Sequence, residues 1–264
     1  MPPLSTTIQP SHIRHALLLI VVIATATFGL TGERISQPLS YHAFADTRSW
    51  AELPNGCDVL SNLPFLVIGI AGLAYLARSR QTEAFAYPLE SAPYTVFFFG
   101  IALTSFGSSY YHWSPDNSSL VWDRLPMTLT FMSLLAAMIV ERIDRRVGLA
   151  LLAPLVVLGV STVWYWQWSY LNGNEDLRPY LVVQFGGIIL ILTIASLYRS
   201  RYSHSGVIWV VGAIYVLAKM AEVLDIPIYQ FTEAVSGHTI KHLIAATAAY
   251  ALLVSLQRRR LKGV

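Results

Sequence analysis

Two short stretches far apart in the chain hold side chains that could do chemistry. The first, S-S-Y-Y-H-W-S-P-D-N-S-S-L-V-W-D-R-L-P-M, runs from Ser108 through His112 to Asp123 and on to Met127. The second, G-H-T-I-K-H, sets His238 and His242 four residues apart. Residues at that spacing share one face of an α-helix about 6 Å apart along its axis, so the two histidines can grip one ion, and Ser108 lies one turn from His112. Ionisable side chains at the ends of apolar segments are costly to keep unless they bind something. Three neutral imidazoles around zinc leave a fourth position for water, the plan of a catalytic rather than a closed structural site, and Asp123 can accept a hydrogen bond from that water. Each residue alone also has a plainer reading. A histidine at a membrane boundary can be an interfacial polar residue, Ser108 can bond back to its own helix, and Asp123 can pair with Arg124.

The elements that must position these groups follow from composition. With 55% hydrophobic residues, 12% charged residues and a mean hydropathy of +0.52, the chain fits a polytopic membrane protein. Eight apolar segments span approximately Ala16 to Leu30, Val59 to Ala77, Tyr94 to Tyr111, Leu120 to Val140, Val147 to Trp166, Tyr180 to Tyr198, Val207 to Leu224 and His238 to Leu256. Each approaches the ~20 residues needed to cross a hydrocarbon layer. In lipid every backbone amide must be paired internally, and these continuous apolar runs lack the alternation of a porin strand, so they are expected to be helices. The fold class is therefore all-α: a polytopic membrane bundle with a seven-helix core and one extra N-terminal hydrophobic helix. The division is 1–57 for the N-terminal segment and outer loop, 58–256 for the catalytic core and 257–264 for a basic cytoplasmic tail. The first segment also suits a cleaved signal peptide. Cys57 is the only cysteine, so no internal disulfide can form.

The formal charge of +3 is carried by short basic clusters. That pattern suits lipid headgroups and cytoplasmic loops, not a nucleic-acid groove. Arg14, Arg78 with Arg80, Arg142 with Arg145 and Arg146, Arg199 with Arg201, and Arg258 to Arg260 with Lys262 fall in alternate connections and at both termini. By the positive-inside rule these are cytoplasmic. Ser108, His112, Asp123, His238 and His242 then fall at one depth near the non-cytoplasmic face, an agreement the arginines alone did not require.

Other intramembrane polar residues carry less. Lys219 and Glu222, three apart on the seventh segment, read as an ion pair joining helices or as contacts beside the site, and Asn62 as a further supporting residue. Gln184 is expected to hydrogen-bond between helices, and Trp164, Tyr165, Trp166 and Trp168 to form an interfacial belt.

The S-x-x-x-H spacing, the D-x-L-P-M eleven residues later and the late H-x-x-x-H-L resemble the alkaline ceramidase family and its wider superfamily of seven-helix membrane hydrolases. V-L-S-N-L-P-F, from Val59 to Phe65, is similar to the family's first-helix motif, and the resemblance runs from about Asp46 to Leu256, nearest to bacterial members. It implies His112, His238 and His242 as zinc ligands, Asp123 as the group that orients and deprotonates water, and Ser108 as the oxyanion donor. It further implies an integral protein of a bacterial inner membrane that cleaves the amide of ceramide or another N-acyl lipid to a long-chain base and a fatty acid. Eukaryotic relatives carry an acidic, tryptophan-containing calcium site before their first helix. Asp46, Glu52, Asn55 and Asp58 occupy the matching region without that spacing, so calcium does not carry over directly. Lys241 stands between the final histidines where relatives often have tryptophan. A receptor-like protein with a structural metal, and an ion-coupled transporter using Lys219, Glu222 and Asp123, are the competing functions. No paired broken helices support transport.

Overall fold

The computed structural model describes residues 10–79 and 84–262. In chain order the α-helices are α1 (Pro10–Leu30), α2 (Gly56–Leu60), α3 (Leu63–Ser79), α4 (Ala92–Trp113), α5 (Asn117–Arg142), α6 (Arg145–Leu171), α7 (Arg178–Leu181), α8 (Gly187–Leu197), α9 (Val207–Val223), α10 (Asp225–Thr232) and α11 (Gly237–Arg258). A π-helical turn, Val182–Gly186, joins α7 to α8 without a bend in direction, and α2 runs on into α3. Among the described residues six helices are long and apolar enough to cross a membrane, or seven if the bent pair α9 and α10 is one span. The chain is an all-α polytopic bundle, as its apolar runs require.

The helix expected over Tyr94 to Tyr111 is present as α4, yet it is not among those six. Its 22 residues reach about 33 Å, enough to span. Its mean apolarity is lowered by Thr104, Ser105, Ser108 and His112, all buried against neighbouring helices rather than facing lipid. The seventh segment forms α9 over the expected range. After Val223 the chain turns by 73° into α10. Pro227 lies in the first turn of α10, where its missing N–H is tolerated, and its ring would clash with the Val223 carbonyl if α9 continued straight.

α4, α5 and α11 position the site. Pro126 inside α5 cannot donate to the carbonyl of Trp122 four residues back. That carbonyl lies against Gly107 of α4, where an added Cβ would come within 2.0 Å of the oxygen. Only glycine permits this approach, which sets Ser108 beside Asp123. Gly237 does the same at the start of α11, where a Cβ would meet the Ala221 carbonyl oxygen at 2.2 Å. The main core joins Phe97 and Phe98 of α4, Leu134 and Met138 of α5, Ile194 of α8 and Leu252 of α11. A smaller apolar cluster at the site end contains Phe44, Tyr111, Leu120, Trp166 and Tyr180.

Helix α1 rests on the outside, against the span from Arg178 to Leu197, and no residue of its apolar window is buried. The chain following it is tied down by Arg178, which donates to the carbonyls of Thr31 (2.9 Å) and Gly32 (2.6 Å), and by a Leu177 N–H to Ile35 carbonyl bond of 2.8 Å.

Candidate metal centre and its cavity

His112 leaves the last turn of α4, while His238 and His242 leave the first two turns of α11, so helix polarity puts all three at one end of the bundle. They are 1%, 4% and 3% exposed. One nitrogen from each lies within 4.8 Å of the other two, and the ring centroids are 4.7, 4.8 and 5.0 Å apart. Among the described residues this is the one group of three or more His, Cys, Asp or Glu side chains close enough to share an ion. Sequence spacing brings together the pair on α11, and the fold supplies the third.

The donor set fits a divalent metal that favours nitrogen ligands. Nε2 of His242 is buried without a hydrogen-bond partner, and Nε2 of His112 lies 3.3 Å from Nε2 of His238. Orphaned acceptors in a dry interior are costly unless something takes their lone pairs. The other nitrogen of His242, Nδ1, lies 2.7 Å from the hydroxyl of Ser61, which donates in turn to the carbonyl of Asp58 at 2.9 Å. With the Ser61 proton so directed, His242 Nδ1–H donates to Ser61 and Nε2 keeps its lone pair for a ligand, the usual arrangement behind a metal-binding histidine. Ser61 falls in the break between α2 and α3, which frees its side chain to reach α11.

The start of α11 is held by three oxygens. Ser236 caps it by accepting from the Thr239 N–H at 3.0 Å. Asp58 Oδ1 accepts from the Thr239 hydroxyl (2.5 Å) and the Ser236 hydroxyl (3.3 Å). Asp225 takes the His238 N–H at 2.8 Å with one oxygen and the Ala45 N–H at 2.9 Å with the other. Phe44 covers the rings of His112 and His238, with centroids 4.6 and 4.7 Å away.

Ser108 and Asp123 both line a cavity of about 190 Å³ that also reaches His242. Phe65, Phe97, Ile101 and Leu134 give it an apolar wall, while Lys219, Glu222 and Lys241 line it as well. The alternative pairing of Asp123 with Arg124 is not what forms. Neighbours on a helix point about 100° apart, and Arg124 turns to Gln37, stacking on Trp166 (4.3 Å) and Tyr180 (4.7 Å).

Lys219 and Glu222 form an ion pair within α9. The link between helices is made by Lys241 of α11, 3.2 Å from Glu222, and Tyr41 donates to the same carboxylate at 3.2 Å. Lys241 also lies 2.8 Å from His238 Nε2. Asn62 is fully buried, donating to the Asp58 carbonyl at 2.8 Å, and its Oδ1 has no partner. The four residues considered for calcium are separately engaged. Asp46 pairs with Arg48 at 2.7 Å, Asn55 donates to the His112 carbonyl at 2.7 Å, Asp58 holds α11, and Glu52 is exposed. The Arg48 guanidinium holds the Asp46 carboxyl below the usual carboxylate range.

Gln184 bridges helices as expected, donating to Tyr215 of α9 at 3.2 Å. The aromatic belt is corrected at one position. Trp164 and Trp168 are exposed, but Trp166 is fully buried, donates to Glu175 at 2.8 Å and supports Arg124. Every third or fourth residue of α6 must face inward, and Trp166 falls on that face. Ser61 and Phe44 escaped the sequence reading because Ser61 meets a partner 181 residues away and Phe44 lies on an irregular segment.

No curated protein matches the chain significantly. A protein-family model described as Ceramidase matches residues 42–262, a stretch that begins beyond α1 and takes in all three histidines, Ser108 and Asp123. On that match, over most of its 264 residues, the chain belongs to the ceramidase family.

Proposed function

We propose that the protein is a zinc-dependent membrane hydrolase that cleaves the amide bond of ceramide-like lipids to a long-chain base and a fatty acid. The observation that supports this most is the convergence of three buried imidazoles, one with an unclaimed lone pair, beside a cavity walled by Asp123 and Ser108. His112, His238 and His242 hold the ion, and Ser61 fixes the tautomer of His242. When bound, zinc supplies a Lewis acid that polarises a carbonyl and acidifies water. Asp123 takes the proton of the attacking water on its carboxylate and returns it to the departing nitrogen. Ser108 donates its hydroxyl hydrogen to the oxygen on which negative charge develops. Phe65, Phe97, Ile101 and Leu134 accept hydrocarbon, so the lipid tail stays in an apolar medium while its amide meets the polar end. The basic clusters, read by the positive-inside rule, support both termini in the cytoplasm and the site toward the opposite face.

Metal analysis of the purified protein, followed by incubation with ceramides, tests the reading. We expect stoichiometric zinc and release of fatty acid. His238→Ala loses both metal and turnover. Asp123→Asn keeps the metal and loses on the order of 10²- to 10⁴-fold in kcat, the range for a positioned acid–base group. Full metal loading with no turnover on any acyl lipid would instead favour a receptor-like role.

A further inference from the structure

The charges that line the cavity do not balance. Arg124, Lys219 and Lys241 face it with only Asp123 and Glu222 as carboxylates. Asp123 pairs with none of these cations, and Glu222 is shared by both lysines and the Tyr41 hydroxyl. Among the described residues Arg124 makes no ion pair. Its Nη2 donates to the neutral Gln37, its faces meet rings, and its buried Nη1 has no acceptor. Lys241 divides itself between Glu222 and His238 Nε2, and that nitrogen is the one turned to His112. Once His238 gives this lone pair to an ion, Lys241 keeps only a share of Glu222. The loaded site therefore holds one fixed cation more than it has carboxylates, besides the ion itself. Unpaired charge in a low-dielectric interior is costly, and an anionic ligand group would offset it.

The headgroup of a simple ceramide offers hydroxyls but no anion. Resting on the hydrolase reading of the same site, we propose that it also takes N-acyl-α-amino acids, amide lipids whose amine half carries a carboxylate next to the scissile nitrogen, in preference to uncharged amides of the same size. The position of Lys241 selects this geometry. It stands on α11 between His238 and His242 and stays paired with Glu222, so the anion it binds must lie within a few bonds of the reacting carbonyl. A carboxylate on the carbon adjacent to nitrogen meets that condition, whereas a charge at the far end of a long headgroup does not. In the reaction, water adds its oxygen to the acyl carbon, the C–N bond breaks, and the nitrogen leaves with the water's proton. The products are a fatty acid and a free amino acid.

The test compares three ligands of one chain length on the metal-loaded protein in nanodiscs: N-palmitoylglycine, the neutral N-palmitoylglycinamide and palmitate. N-palmitoylglycine should exceed the glycinamide in kcat/KM by about tenfold or more, the effect of one hydrogen bond to a charged group. Lys241→Met should shrink that preference to about threefold or less while zinc content stays unchanged, and Lys219→Met should shrink it in the same direction. Equal turnover of acid and amide in the wild type overturns the proposal, as does a preference that survives both substitutions. Palmitate binding as tightly as N-palmitoylglycine, with the same loss in Lys241→Met, also overturns it, because the cations would then be reading the acyl product. If neither amide is cleaved while ceramide is, the proposal fails and the hydrolase reading stands; if ceramide is not cleaved either, the hydrolase reading fails separately. Equilibrium binding of N-palmitoylglycine against the glycinamide, in wild type and Lys241→Met, then still decides whether the cavity selects the anion.

Discussion

Arg124 and Arg259 are both buried guanidiniums stacked on aromatic rings, at opposite ends of the bundle, and they differ in what completes them. Arg259, just past the end of α11, lies over Phe85 (4.3 Å), Tyr94 (5.2 Å) and Tyr202 (4.3 Å), donates to the Ala84 carbonyl at 2.8 Å and pairs with Glu141. Tyr94 donates to the same carboxylate at 2.7 Å. Nearby, Glu90 accepts from Arg201 at 2.8 Å and from Tyr202. The space left among these groups is about 20 Å³, room for about one water. Arg124 has comparable rings but only a neutral amide as acceptor, beside about 190 Å³ of cavity. One end has neutralised its charges and closed. Each end keeps a guanidinium nitrogen without an acceptor, Nη2 of Arg259 and Nη1 of Arg124, so what sets the site end apart is an unbalanced charge beside open space, which is what a ligand site needs and a structural joint does not.

Removing a carboxylate from each end should therefore have different consequences. Asp123→Asn should lower kcat by on the order of 10²- to 10⁴-fold with little change in thermal stability, whereas Glu141→Gln should do the reverse, read by turnover and by melting in detergent. At the closed end, Arg259→Ala leaves Glu141 buried and unpaired and should destabilise by about 3–5 kcal/mol. Arg259→Met combined with Glu141→Leu should recover much of that loss, since the pair then leaves together. Gly107→Ala forces α4 away from the Trp122 carbonyl and should cost about 1–3 kcal/mol, the range for an overpacked contact. Turnover should fall with it, because Ser108 moves relative to Asp123. Ser61→Ala removes the partner that sets the His242 tautomer and should weaken metal binding about 10- to 100-fold in a chelator competition, leaving the fold intact.

The smallest effect concerns the Asp46–Arg48 pair outside the membrane. Because the folded carboxyl titrates below its unfolded value, its stabilisation is present above the ordinary carboxylate range and is lost as pH falls through the lowered value. Asp46→Asn should therefore lower stability slightly at neutral pH and not at strongly acid pH, by parallel melts at the two.

The helices were legible because hydropathy along a lipid-spanning chain leaves few alternatives, and the site was legible because histidine and aspartate are conspicuous among Leu, Val and Ala. Even α4, too polar for a simple hydropathy threshold, stood out through its length and its Ser108–His112 spacing. What stayed hidden depends on non-local approach. The contact of Ser61 with His242 links residues 181 apart. The 73° turn into α10 needs the conflict between Pro227 and the Val223 carbonyl rather than any change in apolarity. The burial of Trp166 depends on which face α6 turns inward, and α6 is apolar all round, so its sequence does not choose one. The Arg124 environment could not be read from Asp123 next to it, since adjacent helical residues diverge.

Helix α11 presents two of the three imidazoles at its first turns, and its far end is sewn to the bundle beyond Arg259. The Ser203 N–H meets the Arg260 carbonyl at 2.9 Å and the Lys262 N–H meets the Arg201 carbonyl at 2.8 Å. These two bonds tie the chain beyond Arg259 to the segment before α9, so a pull applied past Lys262 meets them before it reaches the rod and its histidines. An insertion between Thr232 and Ser236 would bear directly on the end of the rod that carries His238 and His242.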